Sequence, residues 1–246
     1  MNRYALAFFT ALVSLPLSLH ASCPRVAALP DVNCDGAATI VVLGDSLVAG
    51  IGDTANENQG GYVLRTQEKF PDARIIGYGV PGLRTTTLIK RLRDAFAGEK
   101  YPAMTADLLD ADLVVLDLGR NDRWFFGPPA GTLRNLQRIR TLIREQVAAA
   151  RSQSPVIVQP VLMLPNRGSQ GPWVKELNTL ILNAHSAAYP CDLRFDLVSK
   201  RLLAPDNIHP TSKGYAALAQ AFTKYLLSTY PRYAQAHNRA GQKYRV

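Results

Sequence analysis

From residue 37 onward, short β-branched apolar runs alternate with longer stretches whose apolar positions recur every three or four residues. That alternation is the signature of βα units wound around a parallel sheet. Strands are predicted over Thr39–Leu43, Arg74–Gly77, Leu113–Leu118, Val156–Gln159 and Asp192–Phe195, each nearly continuously apolar, as strands covered on both faces should be. Helices are predicted over Tyr62–Phe70, Thr85–Phe96, Thr132–Gln153, Trp173–Ala188 and Ser212–Leu227, with Pro155 closing the third because it lacks a backbone donor. Pro160–Pro172, which holds three prolines and two glycines, is predicted to be a long loop, and such loops often border a site. The expected fold class is α/β, with a parallel sheet of about five strands. No internal repeat or low-complexity tract interrupts it.

With 246 residues, 47% of them hydrophobic, the chain can build one substantial core and is too short for two ordinary enzyme domains. The first residues lie outside that core. An apolar run from Ala5 to Leu19 is followed by Leu19-His20-Ala21, which reads as a signal peptide over residues 1–21 with cleavage after Ala21. Pro16 and the polar chain that follows argue against a spanning helix, so no stable membrane insertion is expected after cleavage. The expected location is secreted or periplasmic, with a lipidated Cys23 as the lesser alternative. Residues 22–37 form an N-terminal segment in which Cys23 and Cys34 can pair in an oxidising compartment. A Cys34–Cys191 bridge stands as the competing pairing.

The formal charge of +9 favours anionic surfaces or substrates. Nucleic acid is not expected, since neither a recognition motif nor a basic helix is read beside the charge. Arg232, Arg239, Lys243 and Arg245 stand without an acid in the last sixteen positions, so residues 229–246 read as a solvated basic tail.

The chemistry gathers where strands end. Gly44-Asp45-Ser46-Leu47 follows the first strand, Gly79-Val80-Pro81-Gly82 the second and Gly119-Arg120-Asn121-Asp122 the third, while Asp206-Asn207-Ile208-His209-Pro210 precedes the last helix. In open α/β sheets, ligands bind at the carboxyl ends of the strands. A serine hydroxyl needs a base within hydrogen-bond reach, and His209 is the best placed of the four histidines. His20 falls in the signal, His237 in the tail and His185 on a helix face.

These four blocks resemble the GDSL, or SGNH, hydrolase superfamily over about residues 38–228. The resemblance implies a three-layer α/β/α sandwich, flavodoxin-like, and a serine esterase with Ser46 as nucleophile, His209 as base and Asp206 as its orienter. It further implies an oxyanion hole from the backbone N–H groups of Ser46 and Gly82 and the Asn121 amide. Gly79 competes with Gly82 for the second place, and Gly82 is favoured because it precedes the Thr-rich helix start at Leu83-Arg84-Thr85. Asp45 and Asp122 are expected to hold their own turns by local hydrogen bonds.

Arg84, Arg120, Arg123 and Trp124 are the candidate substrate-binding residues, because arginine suits a carboxylate or phosphate and the run Trp124-Phe125-Phe126 suits an acyl group or a sugar. The expected substrate is a small-molecule, lipid or glycan ester. A lipolytic esterase or thioesterase and a carbohydrate O-acetylesterase both fit. A glycan-binding module without turnover, or an acyltransferase on the same triad, are the alternatives. No cofactor is implied and no metal, since His and Cys are too few and scattered.

Overall fold

The computed structural model describes residues 23, 25–26, 28–124, 127–151, 156–163, 171–184, 190–194, 201–232 and 234–235. The chain opens with a small antiparallel pair, β1 (Arg25–Val26) and β2 (Leu29–Pro30). Then β3 (Thr39–Gly44), the four-residue helix α1 (Ser46–Ala49), α2 (Gly61–Gln67), β4 (Arg74–Gly79), α3 (Thr85–Phe96) and α4 (Pro102–Asp110) follow. The second half runs β5 (Leu113–Asp117), α5 (Pro129–Ala150), β6 (Ile157–Leu162), α6 (Gly171–Ala184), β7 (Cys191–Asp192) and α7 (Ser212–Lys224).

The sheet order β4-β3-β5-β6-β7 is parallel throughout. Both faces of the central strands are covered, which is why those strands are nearly continuously apolar. Ile40, Val42, Leu113 and Val115 face α1, α2 and α7, whereas Val41, Leu43, Val114 and Leu116 face α3 to α6. The result is the expected three-layer α/β/α sandwich.

Several boundaries differ from the sequence reading. Pro160 lies inside β6 and not in a loop. It is tolerated because β7 pairs only with Val161 and Leu162, so its missing N–H falls where β6 has a neighbour on one side only. Gly171 and Pro172 open α6, and α5 starts at Pro129, both prolines sitting in a first turn that needs no N–H partner. Phe195 and the ends predicted for the third and fourth helices, Gln153 and Ala188, lie outside the described residues.

The segments before β3 and after α7 also contribute to the core. Cys23 and Cys34 are bonded, Cys191 is a buried free thiol, and Leu29 and Val32 are buried. After α7 the helix continues through a π turn at Tyr225–Thr229, and Tyr230 beyond it is fully buried, its hydroxyl donating to the Pro30 carbonyl at 3.2 Å. The segment expected to be a solvated tail from residue 229 therefore packs as far as the buried Ala234.

Candidate active site

Register sets the edge on which the site is built. Gly44 at the end of β3 stands opposite Gly79 of β4 and Asp117 of β5, so the three strands end level. Past Gly44 the chain enters α1 at Ser46, which is half-buried. Asp45 caps that helix, accepting from the Leu47 N–H at 3.1 Å. Gly79 lets β4 press against it: a Cβ there would lie 2.1 Å from the Ala49 nitrogen. Gly82, by contrast, turns through a φ of +72° with nothing within 4 Å of where its Cβ would sit. The sequence left Gly79 and Gly82 in competition. Their surroundings differ in kind, since one is a packing contact and the other an open turn.

Beneath Ser46 lies a buried polar cluster. Arg120 donates from Nη1 to both oxygens of Asp45, at 2.7 and 2.8 Å, and from Nη2 to Asp117 Oδ1 at 2.5 Å. Tyr62 donates its hydroxyl to the other Asp117 oxygen at 2.9 Å. Burial pushes the Asp45 carboxyl up and the Asp117 charge adds to this, while the Arg120 guanidinium opposes both. Burial disfavours the charged form of Arg120, yet Asp117 and Asp45 hold its proton more firmly than usual. Arg120 was expected on the rim as a substrate contact; its guanidinium is instead spent on two carboxylates under the site. Asp117 and Tyr62 escaped the sequence reading. The available signal was a carboxylate inside an otherwise apolar strand.

Asn121 donates its side-chain amide to the Leu83 carbonyl at 3.1 Å and to Asp45 Oδ2 at 3.3 Å. Asp122 acts over a longer range than expected. It accepts from the backbone N–H of Thr85 at 2.9 Å and from the hydroxyls of Thr85 and Thr132, tying the start of α3 to α5. Burial raises the Asp122 carboxyl against those donors.

On the other side of the edge, Asp206 and His209 are joined through Oδ2 and Nδ1 at 2.6 Å. The Asp206 Oδ1 accepts from the N–H groups of Ile208 and His209, at 2.9 and 3.0 Å, in a turn whose Asn207 takes a left-handed φ of +56° that asparagine tolerates. Partial burial works against the Asp206 charge, but His209 and the two backbone donors prevail and hold its carboxyl at about 2. This segment is seated on the loop that leaves Ser46. A Cβ on Gly52 would lie 3.1 Å from that of His209, Tyr215 donates to the Ile51 carbonyl at 2.8 Å, and the Ala55 N–H donates to Ser212 at 3.0 Å.

At the mouth, Arg84 precedes α3 beside Asp122, and Arg123 stacks over the exposed Trp124 ring at 5.0 Å. Phe125 and Phe126 lie outside the described residues, as does His185.

A parallel sheet sandwiched between helices, with a serine turn and an Asp–His pair drawn to its carboxyl edge, defines a class of three-layer α/β proteins. Within that class, the chain belongs to the GDSL-like Lipase/Acylhydrolase family, which matches residues 42–217. No curated protein sequence matches the chain. Among solved structures, a member of the lipolytic protein G-D-S-L family from Veillonella parvula DSM 2008 is similar at 18% identity and a TM-score of 0.56, over 75% of this chain and 96% of that one. The psychrotrophic esterase EstA from Pseudoalteromonas sp. is similar at 20% identity and a TM-score of 0.53, over 80% and 98%. An acetyl xylan esterase, AlAXEase, is similar at 17% identity and a TM-score of 0.52, over 74% and 96%. These likenesses are of fold.

Proposed function

We propose that the protein hydrolyses carboxylic esters through an acyl-enzyme. Ser46 attacks the ester carbonyl, His209 takes the serine proton and returns it to the leaving alcohol, and Asp206 fixes the imidazole tautomer and stabilises the imidazolium. The observation that carries this reading is the 2.6 Å Asp206–His209 bond on a turn seated against the Ser46 loop. The N–H groups of Ser46 and Gly82 and the Asn121 amide meet the oxyanion, and Asn121 can turn to it by releasing its longer 3.3 Å bond to Asp45. Arg84, Arg123 and Trp124 border the substrate, with Arg120 removed from that set. Family membership and the esterases among the similar structures support the reaction class.

Export belongs to the same proposal: residues 1–21 direct the chain out of the cytoplasm, and the Cys23–Cys34 bond suits an oxidising compartment. Among the described residues, no helix is long and apolar enough to cross a membrane. The test is hydrolysis of an acetyl-to-decanoyl p-nitrophenyl ester series by the mature protein beside Ser46→Ala. Turnover lost in the variant is expected, and turnover unchanged by it would overturn the serine mechanism. A sharp preference for acetate would choose the acetylesterase over the lipase.

A further inference from the structure

Against the expectation that no basic helix accompanies the charge, the long helix α5 carries four arginines, Arg134, Arg138, Arg140 and Arg144, and a single acid, Glu145. At 100° per residue, Arg134, Arg138, Thr141 and Glu145 fall on its outermost line, with Gln137, Arg140 and Arg144 on the adjoining flank. Arg134 with Arg138, and Arg140 with Arg144, are like charges one turn apart, an arrangement that opposes the helix unless an anion lies between them. Among the described residues, none of the four forms an ion pair. The flank lines a groove of about 580 Å³ containing Gln137, Arg140, Thr141 and Arg144, where Glu145 sets one carboxylate against two guanidiniums. The Nε of Arg140 is buried and donates to no group among the described residues.

We propose that this face of α5 binds an anionic polysaccharide chain and delivers esters borne on it to Ser46, a substrate class that rests on the ester-hydrolase reading above. The stripe is elongated. Arg134 lies in the early turns of α5, close behind the Arg120–Trp124 turn that flanks the site, and Arg144 stands about 15 Å further along the helix. A chain with repeated carboxylates can follow that line, with Gln137 and Thr141 meeting its hydroxyls between the charges. A membrane surface fits less well, because the exposed large apolar side chains among the described residues are Leu64, Tyr101, Trp124, Leu182, Ile208 and Leu227, and none is on α5. The overall charge of +9 draws a polyanion toward the molecule in the same sense.

The test compares the full mature chain with a triple variant, Arg134→Gln, Arg138→Gln and Arg144→Gln, for binding to polygalacturonate, to dextran of matched length, to phosphatidylglycerol vesicles and to duplex DNA. Polygalacturonate should bind in a salt-sensitive manner, and its Kd should rise about tenfold or more in the variant. Turnover of p-nitrophenyl acetate should stay within about twofold, because the three side chains lie off the site. On O-acetylated polygalacturonate, KM should rise with Kd while kcat holds. The proposal is overturned if the variant binds polygalacturonate as tightly as the parent, if dextran binds equally well, or if vesicles or DNA bind more tightly. Absence of p-nitrophenyl acetate turnover in the parent would strike the ester-hydrolase reading alone, since the binding comparison does not depend on it.

Discussion

Arg120 grips both carboxylate oxygens of Asp45, the residue immediately before Ser46, at 2.7 and 2.8 Å. Its second nitrogen holds Asp117, so one guanidinium bridges two buried carboxylates. Arg120→Met would leave two carboxylates facing each other without a cation, and removing one partner of a buried ion pair costs about 3–5 kcal/mol. Urea denaturation should show that loss. Arg120→Lys should restore only part of it, because a single ammonium cannot reproduce a planar fork shared between two acids. A variant Arg120→Met as stable as the parent would mean the cluster is not ionised as described.

The Asp206–His209 bond makes a separate prediction for catalysis. Asp206→Asn keeps the turn's shape but presents an amide to Nδ1, so the imidazole is held in the wrong tautomer. The fall expected in kcat is about 10³–10⁴-fold, with little change in melting temperature because the pair is partly exposed. Steady-state kinetics on p-nitrophenyl acetate decides it. A loss below tenfold would remove Asp206 from the orienting role.

Much of this arrangement was legible in the chain. The nearly continuous apolar runs at Thr39–Leu43 and Leu113–Leu118 disclosed a sheet covered on both sides, and punctuation by Gly, Asp, Asn and Ser at the strand ends marked the edge on which the candidate site is built. The helix α4 was missed, because in its nine residues only Met104 and Leu108 are buried apolar anchors and Pro102, a first-turn residue, reads as a breaker. Arg120 was misplaced for a different reason. Whether an arginine between a strand and a turn points outward or beneath the sheet depends on Asp45 and Asp117, which are 75 and 3 residues away along the chain. The start of the segment from residue 229 packs where a solvated tail is expected, because Tyr230 finds its partner in Pro30, a contact that local composition does not signal; Arg239, Lys243 and Arg245 lie outside the described residues.

Gly79 and Gly82 can be told apart by adding one methyl group to each. Gly79→Ala would drive a Cβ to 2.1 Å from the Ala49 nitrogen, which is backbone and cannot swing away, so α1 and Ser46 must shift. Stability and esterase turnover should fall together. Gly82→Ala meets no neighbour and carries only the left-handed penalty, about 1–2 kcal/mol at a φ of +72°. Equal effects from the two substitutions would contradict the packing described for Gly79.

Asp112 gives the fold a pH dependence of definite sign. Its carboxylate is buried and accepts from the N–H groups of Val32, Asn33 and Thr39 at 2.6, 3.0 and 2.8 Å, pinning the N-terminal segment to the start of β3. Burial dominates over those donors and raises the carboxyl to about 6 from an ordinary 3.8. The folded protein therefore holds this proton more tightly than the unfolded chain does. The contribution is fully present below about pH 4 and is lost as pH rises through about 6, an amplitude of up to about 3 kcal/mol at 1.36 kcal/mol per pKa unit. Asp206 works in the opposite direction and lower down, losing its contribution only as pH falls from about 4 toward 2. Asp112→Asn removes the titration and sets an amide N–H₂ against a backbone donor, which costs about 1–3 kcal/mol. Urea denaturation of parent and variant at pH 4.5 and pH 7.5 measures both effects. The parent's advantage should be larger at pH 4.5, and an advantage that grows toward pH 7.5 would show that Asp112 is held ionised by its three N–H donors.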